Sequence, residues 1–250
     1  MRARHAPLLL RMETAMREME PSPPYLLSRQ AHVCIANGVV VMLDVATGAY
    51  LSIGEQQAAR LGHHVQGWPV AAHAPGIPPI LQTLLDRRLI TQDARLGKPA
   101  TPSTIALPTR WMREGELRGR PPIAARDLRR FVVAVSFAAF SKKVLPLKAI
   151  VARAQGRARR QPSAPESVQR LASLVRIFDW LRPLAFKKTD ECFLYCLALS
   201  EFLACYGFFP SWVFAVRTAP FRAHCWLQYD DYVLTDIPFN LRRMVPILVL

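Results

Sequence analysis

Short apolar runs alternate with turn signals from His32 to Ile53, and helical patterns take over afterwards. His32-Val33-Cys34-Ile35-Ala36 and Val39-Val40-Val41-Met42-Leu43 flank Asn37-Gly38, a pair that accepts the positive φ of a two-residue hairpin turn. Tyr50-Leu51-Ser52-Ile53 follows Thr47-Gly48 as a third strand-like run. Residues 54–63 have a helical pattern, 69–79 is Pro-rich, and Ile80 to Leu85 predicts an apolar-faced helix leading into Arg87-Arg88-Leu89-Ile90. Three strands followed by helices suit a small winged-helix module. Ahead of it, residues 1–28 mix charge with Pro21 to Pro24 and predict a poorly ordered extension, in which Met12, Met16 and Met19 each offer an alternative start codon.

Residues 93–123 carry Gly97, Pro99, Pro102, Pro108, Pro121 and Pro122 and read as a linker. Asp127 to about Ala154 predicts one helix with Phe131 to Val135 on its buried side. An arginine-rich break, Gly156 to Pro165, precedes an amphipathic helix from Ser167 to Leu181. Lys187 to Cys196 then reads as a basic turn opening into an apolar helix, with Thr189 or Asp190 as N-cap. Phe221 to Tyr229 and Tyr232 to Asp236 have strand composition.

Candidate chemistry sits in these last elements. A cysteine in the first turn of a helix lies among unpaired N–H groups at the positive dipole end, which favours the thiolate, so Cys192 is the expected nucleophile. His224 on one strand and Asp236 at the end of the next would supply a base and an orienting carboxylate. The same residue types also fit a plainer reading, with Cys192 a small buried hydrophobe and His224 a satisfied core histidine. Cys196 lies a turn deeper, where the dipole effect has faded, and is expected to pack on Leu199 and Leu203. Cys205 is near the helix C-terminus, and Cys225 should point opposite His224. Zinc bound by Cys192, Cys196 and His224 is a further reading, although the spacing is that of no recognised finger or ribbon.

Composition narrows the classes. A hydrophobic fraction of 51% excludes a disordered chain, and 250 residues hold one large or two small domains. The apolar run Phe131 to Phe140 is too short to span a bilayer, and Leu8-Leu9-Leu10 too brief for a signal-peptide core, so a cytosolic location is expected. Five cysteines without a CxxC pair suit a reduced compartment. The net charge of +15 concentrates in residues 105–190, where 19 Lys+Arg face 6 Asp+Glu. Such a surface attracts acidic peptide, nucleic acid or anionic lipid, and equally suits a solvated basic face.

The stretch from about Thr189 to Asp236 resembles the transglutaminase-like peptidase domain of lasso-peptide maturation B proteins, which remove leader peptides. The resemblance rests on Cys192 with Leu197-Ala198-Leu199, Val216-Arg217, Pro220-Phe221, Ala223-His224, Trp226, Val233-Leu234 and Asp236, at separations of 32 and 12 residues. It departs from the family in having Cys225 where alanine is usual and Phe193-Leu194-Tyr195 where arginine is frequent. Asp44 to Ser52 in turn resembles the D-x-x-x-G-x-Y pattern of PqqD-like recognition domains, in which a leader peptide adds to the third strand and packs on the last helix.

Together the resemblances imply an α+β chain with a winged-helix-like module followed by a transglutaminase-like, papain-like cysteine peptidase domain. The implied division is an extension at 1–28, a PqqD-like recognition domain at 29–95, a linker at 96–123 and a peptidase domain at 124–250. Cys192, His224 and Asp236 would form the triad, with the Cys192 N–H in the oxyanion hole. Arg217 and Trp226 would shape the site. Tyr50, Leu51 and Ser52 would pair with the leader, and Leu81 and Leu85 would line or support the groove, with Leu84 in the core. The partners implied are the precursor's leader region and an asparagine-synthetase-like lasso cyclase; no DNA and no membrane span are expected. No cofactor motif or Walker loop is present in the sequence, so ATP would enter through the cyclase. A transglutaminase-like acyl transferase using the same triad is the alternative enzyme. A basic winged-helix DNA-binding protein is the non-enzymatic one.

Overall fold

The computed structural model describes residues 24–73, 76–112, 119–158, 168–186 and 192–250. In chain order the first elements are β1 (Leu26–Ser28), β2 (Ala31–Ala36), β3 (Val39–Asp44), β4 (Ala49–Ile53), α1 (Glu55–Leu61), α2 (Ile80–Asp86), β5 (Ile90–Thr91) and β6 (Gly97–Lys98). There follow β7 (Arg110–Trp111), α3 (Ala125–Val144), α4 (Leu147–Ala158), α5 (Val168–Leu181) and a 3-10 turn at Arg182–Leu184. The last are α6 (Cys192–Ala204), β8 (Ser211–Thr218), β9 (Phe221–Tyr229), β10 (Tyr232–Val233), α7 (Pro238–Leu241) and β11 (Val245–Val249). The result is a mixed α+β chain that divides into two units, residues 1–29 with 56–100 and residues 30–55 with 101–250.

In the first unit, β1 pairs antiparallel with both β5 and β6. Leu26–Ser28 is therefore a strand, although the composition around it predicts an extension; its main-chain partners come from more than sixty residues away, beyond the reach of local pattern. The Trp68 indole N–H donates to the Ala58 carbonyl at 2.9 Å and closes the 62–68 turn over α1. Leu84 is fully buried and Leu81 nearly so, the helical i, i+3 pattern at work.

In the second unit, β2, β3 and β4 form an antiparallel sheet in that order. Asn37 and Gly38 take φ of 50° and 76° in the hairpin turn, as their sequence requires. Asp44 accepts from the Ala46 N–H at 2.9 Å and from the Thr47 hydroxyl at 2.8 Å, holding the turn into β4. Strands then helices is the expected order.

The main sheet runs β11-β8-β9-β10-β7. Arg110–Trp111, inside the expected linker, is its parallel edge strand, and Thr109 is fastened to Asp231 through its N–H at 2.8 Å and its hydroxyl at 2.5 Å. The single helix expected from 127 to 154 is two, because Pro146 cannot supply the N–H that would continue α3. Its periodicity buries Phe131, Ala134, Ala138 and Ser141 but leaves Val132 52% and Val133 59% exposed, contrary to the expectation for that run. No helix among the described residues is long and apolar enough to cross a membrane.

α6 is the buried spine of this unit. Tyr195 donates to Asp179 of α5 at 2.5 Å, Glu201 pairs with Arg153 at 3.3 Å and with Arg157 of α4, and Tyr206 donates to Asp127 of α3 at 2.5 Å. Three polar ties around an apolar helix fix its rotation and its height over the sheet.

Candidate active site

Cys192 is the first described residue of α6 and is half-buried. The expected N-cap residues Thr189 and Asp190 lie outside the described residues, as do the arginine-rich stretch at 159–167 and the extension up to residue 23. His224 lies on β9, opposite Ala215 of β8, with the Trp226 ring 6.3 Å from its own. Asp236 follows the end of β10, which covers only Tyr232–Val233, so the carboxylate comes from a turn rather than from the expected strand. Thr235 explains the early exit: its hydroxyl takes the Leu227 N–H at 3.0 Å, replacing a ladder bond with a side-chain one.

His224 Nε2 lies 2.6 Å from Asp236 Oδ2. The other carboxylate oxygen accepts from the Ile237 N–H at 2.7 Å and from the Asn240 amide at 2.8 Å. Asp236 is thus held on both oxygens. Asn240, on the short helix α7, escaped the sequence reading; the D-x-x-x-N spacing at the start of a Pro-led turn was the signal available. With Nε2 committed to the carboxylate, Nδ1 is the ring nitrogen left for Cys192, whose thiol interacts with His224.

Electrostatics follow from these contacts. Burial works against a charged His224, but the bonds to Asp236 and Cys192 outweigh it and raise the imidazole to about 9. Burial likewise opposes the Asp236 charge, and His224, Asn240 and the Ile237 N–H more than offset it, holding the carboxyl below its ordinary 3.8. Cys192 is pushed up to about 12, first by its interaction with Cys225 and then by burial, against a smaller pull from His224. This corrects the expectation of a thiol lowered by the helix terminus.

Cys225 is the second surprise. Strand alternation places it on the helix-facing side, away from His224, where its thiol raises that of Cys192. Cys196 points its Sγ to the Cys225 carbonyl at 3.5 Å and lies 3.6 Å from the Thr235 hydroxyl, so its neighbours include polar groups as well as the expected leucines. Cys205 is exposed at the other end of the helix. Among the described residues, no group of three His, Cys, Asp or Glu side chains is placed to hold a metal ion. Trp226 is fully buried beside Val213, Ala215 and Val233, forming the floor under His224.

Of the residues expected to bind a leader, Tyr50, Leu51 and Ser52 lie on β4, the outer strand of its sheet, in the unit that holds the candidate site. The Tyr50 ring meets Phe221 edge-on at 5.7 Å, and its phenol, raised to about 12 by burial, also feels Cys225, Cys192 and Cys34. The Asn37 amide donates to the Thr218 hydroxyl at 3.2 Å, and that hydroxyl donates to the Ala36 carbonyl at 3.2 Å, pinning the β2–β3 turn to the end of β8. Leu81 and Leu85 belong to the other unit, where Leu81 is buried and Leu85 half-buried. Arg217 faces Arg222 across the β8–β9 pair, away from a direct bond to the three candidate residues.

Residues 116–249 match the sequence model of the Transglutaminase-like superfamily. Neither the curated proteins nor the solved structures provide a significant match to the chain.

Proposed function

The chain belongs to the transglutaminase-like superfamily, and from that membership we propose that it is a cysteine peptidase that removes the leader from a ribosomally made lasso-peptide precursor and passes the core peptide to a macrolactam synthetase. Cysteine-based peptidase or acyl-transfer chemistry follows from the superfamily. The observation that carries the catalytic assignment is the 2.6 Å His224–Asp236 pair, with the Cys192 thiol interacting with the same imidazole. The leader-removing role rests on the resemblance of residues 189–236 to maturation B proteins.

In the proposed reaction, neutral His224 accepts the Cys192 proton at Nδ1 while Asp236 holds Nε2–H. Sγ attacks the scissile carbonyl, and the Cys192 backbone N–H donates to the oxyanion. The imidazolium gives its proton to the departing amine as the C–N bond breaks, leaving a thioester. Water, deprotonated by the same ring, then releases the leader carboxylate and restores the thiol. The freed amine is what a macrolactam synthetase consumes, and the ATP for that ring closure would belong to the synthetase.

Residues 29–95 are proposed to carry PqqD-like leader recognition, with a leader strand adding along β4 at Tyr50, Leu51 and Ser52. A tethered module raises the local concentration of the scissile bond, so the catalytic site need bind it only weakly. The test is mass analysis of a lasso precursor incubated with the chain and its synthetase. Leader and core separated by addition of water, lost in Cys192→Ala and His224→Ala, support the reading. An amide to an added amine, with no hydrolysis, would assign acyl transfer instead, and cleavage unchanged in Cys192→Ala would remove the triad.

A further inference from the structure

Arg217 of β8 is paired with Arg222 of β9, and two residues further along the same strands Ala215 is paired with His224. Side chains two apart on a strand share a face, so both arginines stand on the sheet face that carries His224. Directly opposed residues hold their Cβ atoms about 4.5–5.5 Å apart, and the step from Arg222 to His224 is about 7 Å. We propose that Arg217 and Arg222 form a carboxylate-binding subsite beside the catalytic histidine, selecting peptides with an Asp or Glu side chain close to the scissile bond. This role presupposes the peptidase reading above and adds the substrate class.

The pair lacks the partner that other arginines of this unit have. Arg153 and Arg157 share Glu201, and Arg130 and Arg182 lie over the rings of Tyr206 and Tyr195. Among the described residues, neither Arg217 nor Arg222 has a hydrogen bond, an ion pair or a ring contact. Asp236, the carboxylate of the candidate site, is taken up by His224, Ile237 and Asn240. Like charges set directly opposite in a sheet repel, so the resting pair carries a cost that a bound carboxylate removes. Arg217 is also placed in advance. It is half-buried, and its Nε is closed off from solvent with no acceptor, whereas its two terminal nitrogens are not. A packed stem thus presents an open guanidinium head.

Reach fixes where the acidic residue must lie. An extended substrate advances about 3.3 Å per residue, so a guanidinium about 7 Å along the strand from His224 meets side chains within roughly four residues of the cut. Arginine suits this task better than lysine, because its planar fork binds a carboxylate through two parallel N–H bonds.

The experiment incubates a mixture of synthetic peptides of varied sequence with the purified full chain and maps the cut sites by mass spectrometry. Asp or Glu should be enriched within that distance of the cut. Given Glu and Gln versions of the best-cut peptide, wild type should favour Glu by roughly tenfold in kcat/KM, the size of one charge-assisted bond. In the double variant Arg217→Gln, Arg222→Gln the ratio should fall toward one, and in Arg217→Lys, Arg222→Lys part of it should persist. A purely structural role would lower both substrates alike and leave the ratio standing. Arg222 is exposed, so Arg222→Gln alone keeps the comparison open if the double variant fails to fold. No acidic enrichment, or a ratio unmoved by these substitutions, would overturn the subsite.

A second measurement needs no peptide cleavage. Cys192 is alkylated with anionic iodoacetate and with neutral iodoacetamide, its rates read by peptide mapping against the exposed Cys205. The iodoacetate-to-iodoacetamide ratio at Cys192 should be severalfold higher in wild type than in the Gln double variant, and high salt should shrink the difference. If no peptide is cut but this difference is present, the peptidase reading fails and the anion subsite stands. If no peptide is cut and the difference is absent, both fall.

Discussion

Asp236 Oδ2 approaches His224 Nε2 to 2.6 Å, and this pairing decides which ring nitrogen is left to face Cys192. The carboxylate is itself immobilised on its second oxygen by Ile237 and Asn240, so the ring has little freedom to turn. An orienting group held this way fixes both tautomer and direction.

Replacing Asp236 by Asn should therefore do two separable things. The imidazole loses a main cause of its elevation, so its titration should move down from about 9 toward the ordinary 6.5. Turnover in a precursor-cleavage assay should fall by roughly 10³- to 10⁴-fold, because an amide presents its partner equally well to the wrong tautomer. NMR titration of the His224 ring reads the first effect and single-turnover cleavage the second. An unchanged titration would mean that the pair does not persist in solution.

The pH dependence of activity follows from the same raised imidazole. A general base works only when unprotonated, so cleavage should increase as pH rises through about 9 rather than levelling off near neutrality. Stability runs the other way. The His224 contribution, gained by a pKa raised above 6.5, is complete below 6.5 and fades as pH rises through about 9. The Asp236 contribution, from a pKa held under 3.8, is present above 3.8 and lost as pH falls through the folded value. The Tm advantage of wild type over Asp236→Asn should thus form a plateau at mildly acidic pH and shrink toward both extremes.

Cys225 should act as a brake on Cys192. Its interaction is the leading cause of the raised thiol, so wild-type Cys192 should label slowly with iodoacetamide at pH 7, behind the exposed Cys205. Cys225→Ala removes that cause at little cost in volume. A fall of one pKa unit corresponds to about tenfold more thiolate, and labelling of Cys192 should accelerate accordingly. Equal rates in the two proteins, measured by peptide mapping over time, would show that burial alone sets the thiol.

How much of this was legible in the sequence depends on the range of the interaction that decides each feature. Asn37-Gly38 announces its hairpin because turn chemistry is local, and the helix–strand order that brings Cys192, His224 and Asp236 together follows from periodicity and the family pattern. Pro146 marks the break between α3 and α4, but the apolar residues around it gave a helical pattern strong enough to hide it. Leu26–Ser28 and Arg110–Trp111 are strands through main-chain bonds to distant partners, which composition does not encode. The resting protonation of Cys192 was inferred from its place at a helix start. It is governed instead by Cys225, a neighbour that alternation along β9 assigned to the far side.

The ties that hold α6 are open to a direct stability test. Glu201 is 7% exposed and is shared by Arg153 and Arg157, both from α4. Glu201→Gln preserves shape but leaves two guanidinium groups without their anion. Arg153 is about half exposed and can recover water, while Arg157 is largely covered, so the cost falls below that of a fully buried pair. A loss of about 2 kcal/mol is expected in chemical denaturation, below the roughly 3–5 kcal/mol for breaking a fully buried pair. The m-value should stay constant, since the folded core is unchanged. Glu201→Leu supplies the contrast: by replacing the anion with apolar contact it leaves the same arginines unpaired but fills the space. A Leu variant more stable than the Gln variant would show that packing against α6 contributes more there than charge. The reverse order would show that the hydrogen bonds an amide can still make to Arg153 and Arg157 contribute more there than apolar filling.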